Sequence, residues 1–399
     1  MADLPRSVST LPPLALYVHV PWCVRKCPYC DFNSHGVGRG AALPEEEYLA
    51  ALLDDLDADL SLAAGRPLAS IFIGGGTPSL MSSDFYMRFF DELARRLPLD
   101  EKVEITLEAN PGTLERGRFR GYREAGVNRL SLGVQSFQAA QLAALGRIHS
   151  GDDALAAVEE ARAAGFDNLN LDLMHGLPDQ TPELALADLE QALALEPEHL
   201  SWYQLTLEPN TEFHTRPPVL PEEETLWDIQ DLGHERIEAA GLARYEISAY
   251  AQPGRRSRHN LNYWRFGDYL GIGAGSHGKL SAFDDSGRLC IERRWKARQP
   301  DAYLRRRLDP RGFVAGSNWV GDDELPLEFA MNALRLVDGV SMADWPAHTG
   351  RSLPMLSERL EAARNKGLLV EDAQRLQASP RGLLFLNELL ALVSDAGTE

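Results

Sequence analysis

Cysteine is scarce in this chain: four residues in 399, at positions 23, 27, 30 and 290. So few thiols in so long a chain exclude a disulfide framework and leave metal binding or catalysis as the use for any cluster of them. Positive charge is also short. Lys and Arg number 40 against 59 Asp and Glu, a net charge of −19, and a field of that sign disfavours nucleic acid as a general partner. No apolar run is long enough to span a bilayer. The opening "MADLPRSVSTLPPLALYVHVPWC" lacks the basic n-region and small-residue cleavage site of a secretory signal. A cytoplasmic protein is the expectation. What remains is an ordinary globular composition, 44% hydrophobic and 25% charged, with length for one large α/β domain and a smaller one.

Two kinds of segment alternate. "LALYVHV" (14–20), "SIFIGG" (70–75), "VEITLEAN" (103–110), "NRLSLGVQ" (128–135), "NLNLDLMHG" (168–176) and "LSWYQLTLEP" (200–209) are short and rich in β-branched or aromatic residues, as strands are. Between them lie the helical patterns "PEEEYLAALLDDLDADLSLAA", "SSDFYMRFFDELARRL", "TLERGRFRGYREAG", "GDDALAAVEEARAAG" and "TPELALADLEQALAL". Several start on a capping Ser, Thr or Asp or stop at Gly. Six βα units in a row predict a parallel sheet with helices outside, either doubly wound or a full or partial barrel.

In both architectures the ligand lies at the carboxyl ends of the strands. There the chain places the cysteine loop, then "GGGTP" (74–78), Glu108 and Asn110, Gln135, Asp172 and Thr206. Each alone could be a turn or capping residue. Together they put polar or glycine-rich chemistry at every strand end of one rim.

The cysteines read C-x3-C-x2-C in "CVRKCPYCDF" (23–32). A thiolate cluster calls for zinc or iron–sulfur. A structural zinc site needs four ligands, with His19 or His35 as the fourth, and this spacing is unusual for zinc. A redox pair of Cys27 and Cys30 leaves Cys23 unused. A [4Fe–4S] cluster is normally held by four cysteines, so three leave one iron open for a substrate or cofactor.

C-x3-C-x2-C after the first strand of such a domain resembles the radical S-adenosylmethionine (SAM) superfamily. The resemblance implies a [4Fe–4S] cluster on Cys23, Cys27 and Cys30 whose open iron is chelated by SAM, with reductive cleavage of the sulfonium to a deoxyadenosyl radical. "GGGTP" matches the family's glycine stretch, whose backbone N–H groups suit the amino-acid end of SAM. "YVHVPWCVRKCPYCDFNSH", "GGGTPSL", "LEANP", "GVQSF", "LGRIHS" and "DLMHGLPDQT" are similar, in order, to the oxygen-independent coproporphyrinogen oxidase group. The implied fold is a partial (β/α)6 TIM-like barrel with a smaller, winged-helix-like and mainly helical C-terminal domain. By the same resemblance Tyr17 packs beside the cluster, Gly75, Gly76, Thr77 and Glu108 hold SAM, and Gln135, Arg147, Asp172 and Thr206 complete SAM sites.

That group has two branches. The oxidases carry a fourth cysteine two residues after the third, where this chain has Phe32, and a longer N-terminal arm, where only 22 residues precede Cys23. Both departures point to the second branch, of haem chaperones, whose H-N-x-x-Y-W mark appears in "RHNLNYW" (258–264). An imidazole can ligate haem iron and aromatics suit the porphyrin face. His259 and Tyr263, like Asn260 and Trp264, are four apart and share a helical face. Arg255, Arg256 and Arg258 could pair with propionates.

"GAGSHG" (273–278) fits a dinucleotide fingerprint, but "KLSAFDDSG" follows it, which is not helical, so nucleotide binding is rejected. By resemblance this segment closes over the SAM side, with His277 near the adenine. Cys290 reads as a strand-core residue. From about residue 310 helices take over, with a two-stranded wing near "LLVEDAQRLQASPRG". No basic recognition helix is evident, so a lid or partner-contact domain is expected.

The expected organisation is a radical SAM core over 1–250, a haem-motif region over 251–310 and a winged-helix-like domain over 311–399. The expected function is to bind haem, a [4Fe–4S] cluster and SAM and to deliver haem to acceptor haemoproteins, of respiratory type. The resemblance implies a capacity to cleave SAM without coproporphyrinogen oxidase activity. The alternatives are decarboxylation of coproporphyrinogen III and radical chemistry on another tetrapyrrole. A haem donor protein, peripheral membrane contact and a homodimer stay open.

Overall fold

The computed structural model describes residues 10–38, 40, 42–112 and 117–395. The expected helix over 113–126 therefore lies partly outside the described residues; its described part is Phe119–Ala125. The six expected strands are Leu14–Val20 (β1), Leu68–Gly75 (β2), Leu99–Ala109 (β3), Arg129–Gln135 (β4), Leu169–His175 (β5) and His199–Gln204 (β6). Most of their residues are buried on both faces, as parallel strands covered on both sides require. Each pairs in parallel with the next. The crossover helices include Glu45–Asp59 (α1), Ser83–Arg96 (α2), Gly151–Ala163 (α3) and Pro182–Ala194 (α4). Ser82, Ser150 and Thr181 cap the last three through their hydroxyls, satisfying N–H groups that the helix leaves open.

β6 ends earlier than the sequence pattern suggests. Its ladder stops at Gln204, because the chain turns away through Pro209 to reach the helix Glu212–Thr215. Thr206 consequently lies past the strand's end and is exposed.

The sheet extends beyond the six units. Ala243–Glu246 (β7) and Ala249–Ala251 (β8) add antiparallel strands beside β6. On the other edge Asp268–Ile272 (β9) pairs in parallel with β1. His277–Phe283 (β10), Leu289–Lys296 (β11) and Val314–Trp319 (β12) follow antiparallel. The twelve strands run in the order β12-β11-β10-β9-β1-β2-β3-β4-β5-β6-β8-β7, an open barrel. Residue 250 lies within β8, and the strands on either side of residue 310, β11 and β12, belong to the same sheet. "GAGSHG" is the turn between β9 and β10, leading from strand to strand, not from strand to helix. Cys290 does lie on a strand, but half-exposed near its start, with Sγ toward Asp284 and the Arg288 carbonyl.

Side chains alternate across the strands. On β2, Ile71 and Ile73 face the outer helices and join the main core with Leu52 and Phe89. Ser70 and Phe72 therefore face the concave side. The helix Arg258–Trp264 (α5), capped by Ser257, packs there. The Glu104 carboxylate accepts from the N–H groups of Arg258 and His259, 3.1 Å each.

The C-terminal domain contains Leu325–Ala333 (α6), Asp344–Thr349 (α7), Leu353–Asn365 (α8) and Leu386–Asp395 (α9). Its core of Phe329, Trp345, Leu356 and Leu360 also takes in Tyr245, Ala249 and Phe266 from the barrel region. The wing is built differently from the sequence expectation. Arg375–Leu376 pairs with Val340–Ser341, before α7, and only a single bridge, Leu369 to Ala378, joins the expected hairpin.

Candidate functional site

β1 ends at Val20, and the chain enters the cysteine loop immediately. The Gly76 N–H donates to Val20 O and the Thr77 N–H to Trp22 O, 2.7 Å each. These bonds knit the glycine run to the loop. Only glycine fits: a Cβ on Gly76 would lie 2.5 Å from the Trp22 carbonyl oxygen, and one on Gly75 would lie 2.5 Å from the His19 ring. Gly75 also has φ 111°, a region other residues avoid.

Cys23, Cys27 and Cys30 are free thiols, half-buried, at one end of a cavity of about 390 Å³. Thr77 Oγ1 donates to Cys23 Sγ over 3.5 Å, and the Arg147 guanidinium donates to Cys27 Sγ over 3.7 Å. A hydroxyl and a cation beside the sulfurs favour thiolates, while burial pushes the Cys23 and Cys30 thiols up. Arg147 is itself held by Asn110 Oδ1 at 2.6 Å and Gly133 O at 2.7 Å. The donor set fits an iron–sulfur cluster with three protein ligands. The zinc alternative with His19 as fourth ligand does not fit, because Tyr17 and the Asn33 carbonyl occupy its two ring nitrogens at 3.0 and 2.9 Å.

The opposite wall carries carboxylates. Glu108 accepts from the Gly75 N–H at 3.1 Å. Asp172 accepts from Ser131 Oγ at 2.9 Å and Asn170 Nδ2 at 2.8 Å. Burial, then the Asp172 charge, pushes Glu108 up to about 8. Burial likewise raises Asp172. Two buried carboxylates bonded by neutral donors make a place for a cation. Gln135 completes this end with φ 68°, a strained conformation for a residue with a side chain, its Oε1 accepting from Tyr203 at 2.9 Å.

Gly75, Gly76, Thr77, Glu108, Gln135, Arg147 and Asp172 thus line one cavity with the three cysteines, as do Asn260 and Trp264. Five expected site residues stand apart from its lining. Tyr17 lies beneath, stacked on Phe72 at 6.4 Å. Thr206 and His277 are exposed, His277 stacking on Trp295. His259 is 1% exposed, with Nδ1 3.0 Å from Ser70 Oγ and its ring stacked on Phe72 at 5.1 Å. Burial, then Arg129, holds its imidazole down to about 3, so it stays neutral. Tyr263 meets His259 edge to face at 4.7 Å. Arg255, Arg256 and Arg258 already face Asp167, Asp338 and Asp100.

Sequence reasoning missed Ser131, Gly133, Ser201 and Tyr203 in the lining. A period of two counted back from Gln135 would have found Ser131 and Gly133; Ser201 and Tyr203 lie on β6, where the ladder sets Ser201 opposite Asp172. It also missed Arg335, which reaches the cavity from α6's end, stacks over the Trp264 indole at 4.3 Å and pairs with Glu246 at 3.1 Å. No local pattern signals that residue.

An open parallel barrel with three thiols over a polar, cation-seeking cavity is the arrangement of a radical SAM protein. Residues 17–192 match the Radical SAM superfamily and residues 321–385 the HemN C-terminal domain. The chain is 50% identical to the heme chaperone HemW of Escherichia coli strain K12, over 96% of this chain and 98% of that protein. It is 34% identical to the heme chaperone HemW of Bacillus subtilis strain 168, over 94% and 97%. In fold it is similar to coproporphyrinogen III oxidase (HemN) of E. coli, with a TM-score of 0.79, 22% identity, and coverage of 96% and 90%. The chain belongs to the HemW family within the radical SAM superfamily. That superfamily implies a [4Fe–4S] cluster and SAM, and the cavity's chemistry fits both.

Proposed function

We propose that this protein is a haem chaperone. It binds haem and passes it to acceptor haemoproteins, and carries a [4Fe–4S] cluster on Cys23, Cys27 and Cys30 with SAM beside it. The observation that carries this reading is identity of 50% along nearly the whole length of a heme chaperone, in a chain with Phe32 where the oxidases have a fourth cysteine. H-N-x-x-Y-W supports it: α5 lies at the inner end of the cysteine cavity. A cluster held by the three cysteines would supply electrons to the sulfonium of SAM. Around it Thr77 and Arg147 would hold the thiolates, the glycine run would present its backbone to the amino-acid end of SAM, and Glu108 would meet its cationic part. Asp172 and Gln135 take polar groups further in. No helix among the described residues is long and apolar enough to cross a membrane; we place the protein in the cytoplasm.

The test runs on the anaerobically reconstituted chain, with Cys27→Ala as the control that lacks a cluster. Wild type should bind haem and, with a competent reductant, leave coproporphyrinogen III unchanged. Sustained production of protoporphyrinogen IX without haem binding would replace the chaperone reading with the oxidase one.

A further inference from the structure

The cysteine cavity ends against three segments: Trp264 of α5, Glu246 and Ser248 around the turn between β7 and β8, and Arg335 just past α6. The other cations of the lining, Arg25 and Arg147, lie with the cysteines. Arg335 is the one cation that the C-terminal domain brings to the cavity.

The fold fixes where it stands. The chain after α6 is tied to β7: Leu336 bridges Glu246, and the Val337 N–H donates to the Tyr245 carbonyl over 3.1 Å. The guanidinium lies over the Trp264 indole at 4.3 Å, and its Nη2 donates to Glu246 Oε2 over 3.1 Å. Glu246 is buried, and its Oε1 accepts from the Ser248 N–H and hydroxyl, 3.1 Å each. That carboxylate is thereby held on both oxygens.

The two stacked side chains have donors to spare. Arg335 Nε and Trp264 Nε1 are enclosed, and neither has an acceptor. Buried N–H groups without acceptors are costly and uncommon. Two of them in side chains that touch mark a place for an acceptor the chain does not supply. A guanidinium edge selects an anion, and its fork matches a carboxylate. The donors come into reach when the guanidinium lifts off the indole. The same movement bares an aromatic face, which suits a flat conjugated ring. A carboxylate arm on a flat ring answers both demands.

We propose that Arg335 is the residue through which the C-terminal domain recognises haem: its guanidinium swings off Trp264, keeps Glu246, and pairs through Nε with a propionate while the bared indole meets the porphyrin. The inference rests on the haem-chaperone reading and leaves the haem at α5. It adds a residue from outside the H-N-x-x-Y-W motif that distinguishes a carboxylate-bearing porphyrin from an uncharged one.

The experiment titrates the cluster-loaded full chain with ferric haem and, separately, with ferric protoporphyrin IX dimethyl ester, whose propionates carry no charge. Wild type should bind haem at least about tenfold more tightly than the ester. Arg335→Ala should weaken haem binding by about the same factor and leave the ester as it was, so that the preference disappears. A merely structural arginine would move both porphyrins together. Because Arg335→Ala leaves the Glu246 charge buried alone, the double variant Arg335→Ala with Glu246→Gln is measured beside it and should lose the preference equally. Unaltered iron–sulfur absorbance would show that each variant is folded. Equal loss of both porphyrins, a preference that survives in the variants, or a wild type that binds both porphyrins alike would overturn this proposal alone. A wild type that binds neither would overturn the chaperone reading and this one with it.

Discussion

Glu108 is a carboxylate whose neighbours make ionisation costly until a cation arrives. Its folded value near 8 lies above the ordinary 4.5, so ligand-free protein holds a proton there at neutral pH. Stability from this group is therefore fully present below about 4.5 and is lost as pH rises through 8. SAM brings a sulfonium cation, so binding should expel the proton. Affinity for SAM should rise about tenfold per pH unit below 8 and level off above it. Calorimetry on the cluster-loaded protein from pH 6 to 9 would show it, and Glu108→Gln should flatten the curve while leaving iron content intact. A flat wild-type profile would mean the carboxylate never faces the cation. Glu108 and Gln135 were legible in sequence because each closes a recognisable strand, whereas Asp172 lies in the middle of β5. Arg335 was not legible, because its approach to Trp264 depends on how two domains pack.

At the scale of elements, the turn after β2 and the cysteine loop act as one unit. Gly76 is pressed against the Trp22 carbonyl, and backbone cannot yield as a side chain tip can. Gly76→Ala should cost about 1–3 kcal/mol of stability by overpacking and displace the loop that carries Cys23. The expected result is a folded protein that loses iron during anaerobic gel filtration and binds SAM weakly. Retention of iron and SAM at wild-type levels would show that the turn has slack. α5 illustrates the limit of local reading. Its spacing of four was visible and fits one helical face, while its cap, Ser257, was not read. Its place inside the barrel was not, since Ser70, Phe72 and Glu104, which receive it, are more than 150 residues away in the chain.

For the whole molecule, the barrel region and the C-terminal domain share a core. Phe266 packs edge to face on Phe329 at 5.5 Å, and Phe329 on Trp345 at 5.4 Å. Tyr245, Ala249 and Ala251 lie in the same cluster. Cutting the chain after residue 320 would bare this surface, each large side chain losing about 1.5–3 kcal/mol of burial. The truncated protein should aggregate or unfold at clearly lower temperature, read by light scattering and a thermal melt. A monodisperse fragment with unchanged melting would mean the barrel is independent.

The chemistry of the site was written locally. Three cysteines at one spacing, a glycine run, capped helices and strands with polar ends are patterns within a few residues, and short-range sterics and hydrogen bonding enforce them wherever they occur. The tertiary structure alone decided which faces those patterns turn to one another. It carried the strands between 268 and 319 into the barrel sheet, left Thr206 exposed past the end of β6, and left Cys290 half-exposed on a strand. It also enclosed His259 while bringing Arg335 over Trp264. Periodicity tells which residues share a face, but the partner of that face is chosen by the packing of segments far apart in the chain.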